Sequence, residues 1–163
     1  MPELTTCLWF DTDGEDAARF YTSVFPNSKI TQVARYGSAG PRPAGTVMTV
    51  SFELDGMRFL ALNGGPQYAF SEAISFVVDC ATQADVDRYW STLAEGGEEG
   101  PCGWLKDRFG VSWQIVPTRL PELLADPDPE RAQRVMAAML AMRKLDIAAL
   151  EAAADASELR LSS

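Results

Sequence analysis

Residues 13–25 read DGEDAARFYTSVF, and this stretch decides the fold because its pattern occurs a second time. Asp13 offers an N-cap, Asp16 an acidic first turn, and Ala17, Phe20, Tyr21 and Val24 recur at i, i+3, i+4 and i+7, which predicts a helix with one apolar stripe. Farther along, Thr82 offers the cap, Asp85 follows, and Val86, Tyr89, Trp90 and Leu93 repeat the spacing, every position displaced by 69.

Short apolar runs that end in aspartate precede both helices, Cys7-Leu8-Trp9-Phe10-Asp11 and Ile74-Ser75-Phe76-Val77-Val78-Asp79, and read as strands. A β-hairpin signal follows each helix. The first is Val47 to Leu54, a turn at Asp55-Gly56, then Met57 to Asn63; the second is Trp104 to Lys106, a turn around Asp107 to Gly110, then Val111 to Val116. Gly56, Phe59 and Ala61 match Gly110, Trp113 and Ile115 at a displacement of 54, so the first half carries 15 extra residues between helix and hairpin. The aperiodic Gly/Pro segment Gly37 to Gly45 accommodates them. With second strands at Lys29 to Tyr36 and around Glu98 to Cys102, each half reads β-α-β-β-β, a duplicated module of α+β class.

The boundaries that follow are a domain over 1–120, with module one at about 4–66 and module two at about 71–118, a C-terminal helical extension over 121–155, and a flexible tail over 156–163. Leu120 to Pro127 reads as a proline-rich connector. A helix capped by Asp128 with Pro129 in its first turn carries the stripe Ala132, Val135, Met136, Met139 and Leu140, expected to pack against the sheet or a partner subunit; a shorter helix follows, capped by Asp146.

Composition narrows the chemistry. The 163 residues are 47% hydrophobic and 23% charged, enough apolar material for a core. The chain has no histidine, which removes Ser-His-Asp hydrolysis, Cys-His thiol catalysis, HExxH zinc sites and two-His-one-carboxylate iron sites. A net charge of -9 disfavours nucleic acid and anionic membrane surfaces as partners. Cys7, Cys80 and Cys102 have no paired metal spacing and read as reduced structural thiols. No basic leader and no apolar run of roughly 18 to 20 residues is present, so a cytoplasmic location is expected.

Several segments together resemble the vicinal oxygen chelate superfamily, the glyoxalase and bleomycin-resistance fold, in its PhnB-like branch, whose members often carry a demethylubiquinone methyltransferase-like label. They are Cys7 to Asp11, Phe20-Tyr21, Phe25-Pro26-Asn27-Ser28, Ala61-Leu62-Asn63-Gly64-Gly65-Pro66, Cys102-Gly103-Trp104-Leu105-Lys106-Asp107 and Ser112-Trp113-Gln114-Ile115-Val116-Pro117. The resemblance spans nearly the whole chain. It implies a cup-shaped sheet with helices on its convex side, a concave cavity, and a homodimer. In superfamily enzymes it also implies four inward ligands, His, Gln or Glu, around a divalent metal.

At the positions matching those ligands this sequence has Thr6, Leu60, Ala73 and Gln114, with the first uncertain by one residue. Such a set predicts no metal and no cofactor. Strand alternation from Leu60 and Gln114 adds Arg58, Leu62, Ser112 and Val116 to the inward face and turns Phe59, Ala61, Trp113 and Ile115 toward the helices. Ser75 and Val77 then accompany Ala73, and Leu8 and Phe10 accompany Thr6, unless a one-residue shift substitutes Cys7 and Trp9. Trp104 and Asn63 are candidates for the rim. Candidate ligand contacts are therefore Thr6, Leu8, Arg58, Leu60, Ala73, Ser75, Ser112, Gln114 and Trp104, a lining suited to a small organic molecule.

No glycine-rich loop links a strand to a helix as S-adenosylmethionine binding in a doubly wound sheet requires, so methyl transfer is disfavoured. The leading expectation is a metal-free binding protein, with no catalytic residue identified. Alternatives are a superfamily enzyme of lyase, isomerase or dioxygenase type, metal-dependent or using Glu53, Glu72 or Asp79 in acid–base chemistry, and a structural dimer with a vestigial pocket.

Overall fold

The structure is a computed structural model that describes residues 1–156; the tail expected over 156–163 lies, beyond Ala156, outside the described residues. The chain divides into two compact units, Met1–Phe70 and Ser71–Ser163. None of the described helices is long and apolar enough to cross a membrane.

Unit one consists of β1 (Thr6–Phe10), α1 (Gly14–Val24), β2 (Ser28–Arg35), β3 (Val47–Leu54) and β4 (Met57–Asn63). Its sheet has the order β1-β4-β3-β2, with β1 parallel to β4 and the other pairs antiparallel. The hairpin closes as its sequence requires, with Asp55 and Gly56 both at positive φ, 45° and 87°. Ala17, Ala18 and Tyr21 of α1 are buried, as are Val50, Phe52, Phe59 and Ala61 of the sheet. Phe52 and Phe59, directly opposite in register, stack with ring centroids 5.1 Å apart, and Tyr21 lies 6.2 Å from Phe52. Apolar burial and ring packing together supply the stability of this layer.

Asp13 occupies the N-cap position of α1 but makes no side-chain capping bond. Asn63, at the end of β4, supplies it instead: its Oδ1 accepts the Gly14 N–H at 2.8 Å, while its Nδ2 donates to the Val47 carbonyl at 3.2 Å. A Cβ at position 14 would sit 2.7 Å from that oxygen, so only glycine admits so close a cap. The 37–45 segment is a loop, as expected. Tyr36 pins its base, exchanging backbone bonds with Gly45 and Thr46 and donating its hydroxyl to the Asn63 carbonyl at 2.6 Å.

Unit two consists of β5 (Ser75–Cys80), α2 (Gln83–Ala94), β6 (Glu98–Glu99), β7 (Trp104–Lys106), β8 (Ser112–Pro117), α3 (Arg119–Leu124), α4 (Pro129–Leu140) and α5 (Ile147–Asp155). The sheet order is β5-β8-β7-β6, with β5 parallel to β8. The order β-α-β-β-β and the strand sequence first, fourth, third, second thus occur in both units. Thr82 caps α2, accepting the Asp85 N–H at 3.2 Å, and the stripe Val86, Tyr89, Trp90 and Leu93 is buried as the spacing predicts. The indole of Trp90 donates to Glu99 at 3.0 Å, tying α2 to β6.

The first part of the expected connector, up to Leu124, is helical. Pro121 sits in the first turn of α3, where its missing N–H has no helical partner to lose, so proline does not prevent helix formation there. Leu120 and Leu123 of α3 join Val135, Leu145, Leu150 and Ala154 in a buried cluster, with Met139 packed against it. Leu140, expected in the apolar stripe, is exposed. Asp128 and Asp146 cap α4 and α5 as expected, accepting from Glu130 N–H and Ala149 N–H. Gln83 fastens this helical layer to α2: its Oε1 accepts the Ile147 N–H at 2.8 Å and its Nε2 donates to the Leu145 carbonyl at 3.1 Å.

Asp107 holds the β7–β8 turn. It is 3% exposed, and its carboxylate accepts from the Phe109 and Val111 N–H groups and from the Trp113 indole at 2.9 Å. Asp107→Ala leaves these three donors without that acceptor and is expected to cost about 3 kcal/mol. Urea denaturation measures it, and a loss below about 1 kcal/mol would show that the turn is held by other means.

Candidate functional site

Burial of one face of each sheet leaves the other for chemistry. In unit two, Trp113 and Ile115 face the core at 3% and 0% exposure. Their neighbours Ser112 and Gln114 therefore point to the opposite face. Register places Ser75 and Lys106 beside Ser112, and Val77 and Trp104 beside Gln114. Glu98 is opposite Lys106 on β6. Gln114 Nε2 donates to Ser75 Oγ at 2.9 Å, so two of the expected contacts hold one another.

Along this face lies a pocket of about 380 Å³, lined by Glu72, Glu98, Trp104, Lys106 and Ser112 together with residues 99–101 and Leu105. Lys106 forms an ion pair with Glu72, and both side chains remain well exposed. The hydrogen bond from Lys106, supported by a bond to its own backbone, holds the Glu72 carboxyl below the usual glutamate range. The same bond, with the charges of Glu72 and Glu98, raises the Lys106 ammonium above the usual lysine range. Ser112 is 1% exposed, and its hydroxyl has no hydrogen-bond partner among the described residues.

Unit one answers the register left open in the sequence. Thr6 and Leu8 pair with Phe59 and Ala61 and so share the face packed under α1, whereas Cys7 and Trp9 pair with Leu60 and Leu62 on the open face. The shifted register is the one adopted, and it removes Thr6, Leu8 and Phe10 from the open face. Leu8 and Phe10 bury to 6% and 3% on that face. The Trp9 indole donates to the Gly65 carbonyl at 2.9 Å and its ring meets Tyr68 edge-on at 4.9 Å. Arg58, opposite Glu53 in register, is paired with exposed Glu3, an ordinary surface ion pair of little energetic weight. Ala73 is exposed in the loop before β5.

Lys106 and Glu98 were not among the residues singled out in the sequence. Alternation from Trp104 puts Lys106 on the same face, so that signal was present; its partner Glu72 lies in a loop, and no local pattern links the two.

The positions that match metal ligands in the resembling enzymes fit a divalent ion poorly. Leu60 and Ala73 carry no donor atom and Thr6 lies on the helix-packed face, so of the four only Gln114 offers an oxygen on the open face, too few for a divalent ion. Among the described residues, no three Cys, Asp or Glu side chains are grouped so as to hold a metal. The thiols are likewise quiet: burial raises Cys7, and burial followed by the Asp85 and Asp79 charges pushes Cys80 up to about 11.

The model of the family described as 3-demethylubiquinone-9 3-methyltransferase matches residues 2–116, which spans both β-α-β-β-β units and stops before α3. Solved structures similar to the chain include the PhnB protein from Bacillus cereus, 33% identical with a TM-score of 0.64, over 72% of this chain and 100% of that one. Protein PA1353 from Pseudomonas aeruginosa is 20% identical with a TM-score of 0.60, over 72% of this chain and 98% of that one. The fosfomycin resistance protein FosX from Mesorhizobium loti is 17% identical with a TM-score of 0.54, over 77% and 98%. The last two likenesses establish shared fold alone. No curated protein matches the chain.

The ion pair makes a measurable signature. Because Glu72 is lowered in the folded chain, its pairing contributes above the unfolded carboxylate value and is lost as pH falls through the folded one; because Lys106 is raised, its contribution is lost only as pH climbs through its folded value. The pair is therefore intact across neutral pH. Carbon-detected NMR titration should find the Glu72 carboxyl titrating below an ordinary glutamate, and Lys106→Ala should move it up toward that range, the bond from its own backbone remaining. A midpoint unmoved by the substitution would contradict the pairing.

Proposed function

The chain belongs to the family described as 3-demethylubiquinone-9 3-methyltransferase, and from that premise we propose that it is a PhnB-like protein of the vicinal oxygen chelate superfamily that binds a small organic molecule without a metal. The binding place proposed is the pocket on the open face of the β5-β8-β7-β6 sheet. One observation carries this reading: Ser112, whose buried hydroxyl has no partner among the described residues, is one of the residues that line a pocket of about 380 Å³. An orphaned hydroxyl costs about 1–3 kcal/mol in the empty protein, and a ligand that hydrogen-bonds it recovers that loss. The volume falls in the range of small-molecule sites, roughly 300–1,000 Å³. Of the residues expected from the sequence, Trp104 and Ser112 line the pocket, Trp104 offering apolar surface; Ser75 and Gln114, bonded to each other, are their register neighbours and not part of the lining.

The recurrence of element and strand order supports the proposal that the units are two copies of one module. A homodimer is the assembly proposed with it, and light scattering on the purified protein reads that state.

Methyl transfer is the second reading, and the family description is what favours it. The glycine-rich segments stand against it. Gly64-Gly65 follows β4 and leads to no helix before β5, while Gly96-Gly97 follows α2 and leads to β6; neither joins a strand to the N-terminus of a helix. Acid–base catalysis by Glu72 is also poorly supported. Its ion pair moves the carboxyl away from neutrality, whereas a general acid or base works best with a pKa near the operating pH.

A thermal-shift screen of metabolites and antibiotics against protein freed of metal with a chelator tests the proposal. A true ligand at 100 times its Kd stabilises by about 2.7 kcal/mol with chelator present. Trp104→Ala should weaken that binding at least several-fold, and product analysis of each stabilising compound separates binding from turnover. Protection that disappears with the chelator, or no protection by any compound, would overturn the proposal.

A further inference from the structure

We propose that the pocket beside Ser112 selects organic cations, specifically primary or secondary ammonium compounds with an apolar body, an assignment that rests on the binding reading above and adds to it the ligand's charge. The lining is chemically lopsided. Glu72, Glu98 and Glu99 line it against one cationic residue, Lys106, and of the three only Glu99 turns its carboxylate to α2. Lys106 is occupied by Glu72, and Glu99 accepts the Trp90 indole N–H. Glu98 is exposed and forms no hydrogen bond or ion pair among the described residues, although it lies opposite Lys106 in the β6–β7 register. The pocket thus presents a carboxylate with capacity to spare, on a chain whose net charge is -9.

Two further groups refine the class. Trp104 shares the face of Lys106 and lines the pocket, and an indole face attracts cations and covers apolar surface. Ser112 supplies the observation independent of charge: a residue 1% exposed that lines the pocket and whose hydroxyl has no partner among the described residues. A quaternary ammonium has no N–H to give that oxygen. A primary or secondary ammonium has, and it can donate to Ser112 and Glu98 while its apolar body lies on Trp104. An anion meets the opposite situation, since Lys106 would have to leave Glu72 before it could bind one.

Three compounds of one shape and different charge provide the test: benzylamine, benzyl alcohol and benzoate, titrated at pH 7 while the Ser112 amide and the Trp104 indole N–H are followed by NMR. Benzylamine is expected to shift both signals and to bind at least about tenfold more tightly than benzyl alcohol, with benzoate weaker still. Glu98→Gln should remove most of that preference, and adding salt should reduce it. Ser112→Ala should bind benzylamine several-fold more weakly while melting no lower than the parent protein, because it removes an unsatisfied group and not a contact; this separates a ligand role from a structural one. Equal binding of alcohol and amine, tighter binding of benzoate, or a preference untouched by Glu98→Gln would overturn the charge assignment and leave the pocket as a ligand site. If none of the three compounds moves either signal, both the charge assignment and the binding reading at this pocket fail.

Discussion

Strand β8 has two faces, and the core takes one of them. Trp113 and Ile115 are buried, and the Trp113 indole is fixed by Asp107, whose carboxylate also holds the turn that delivers β8 to the sheet. A two-residue repeat then leaves Ser112 and Gln114 no choice of side. Everything that gives unit two a site follows from that constraint. Ser75 and Lys106 arrive beside Ser112, and Trp104 arrives beside Gln114, through hydrogen-bonded register alone. A one-residue slip would bury Gln114 and expose Trp113, so the force that secures the fold also secures the positions of the polar groups.

Where core and surface residues alternate cleanly, the fold was legible from the chain. The helix stripes are an example, because Tyr21 and Trp90 repeat in matching contexts and both are buried. The strand β1 was not. Cys7, Leu8, Trp9 and Phe10 are apolar on both parities, so alternation could not choose between two registers; the choice is made by the pairing of Leu8 with Ala61 beneath α1. The cap of α1 failed to show for a different reason. Asp13 is the local candidate, but Asn63, far away in the chain, reaches the Gly14 N–H, and no local pattern encodes that contact. The helix α3 was concealed by Pro121, a residue that stops helices in their interior and is harmless in their first turn.

The site was legible in part for the same reason. Ser75, Ser112, Gln114 and Trp104 follow from alternation once the hairpin is placed. The pairing of Lys106 with Glu72 does not, because a loop residue has no period. The ligand positions taken from the resemblance behave differently again. Leucine and alanine cannot coordinate a cation whatever the geometry, so the loss of a metal set at Leu60 and Ala73 is a statement about side-chain chemistry that no register can change.

What remains polar on the open face of unit two has a definite sign. Lys106 is the cation closest to hand, and it is tempting to assign it an anionic ligand. Its ammonium is held by Glu72, and that bond raises its pKa, in keeping with a charged form already stabilised by its present partner. An incoming anion would exchange one carboxylate for another and face Glu98 as well, gaining little. A cation breaks no ion pair, finds Glu98 without a hydrogen bond or ion pair among the described residues, and can donate to the Ser112 oxygen. The unspent carboxylate sets the sign of the ligand's charge, and the unsatisfied hydroxyl, which can donate or accept, asks only for a hydrogen-bonding group beside it.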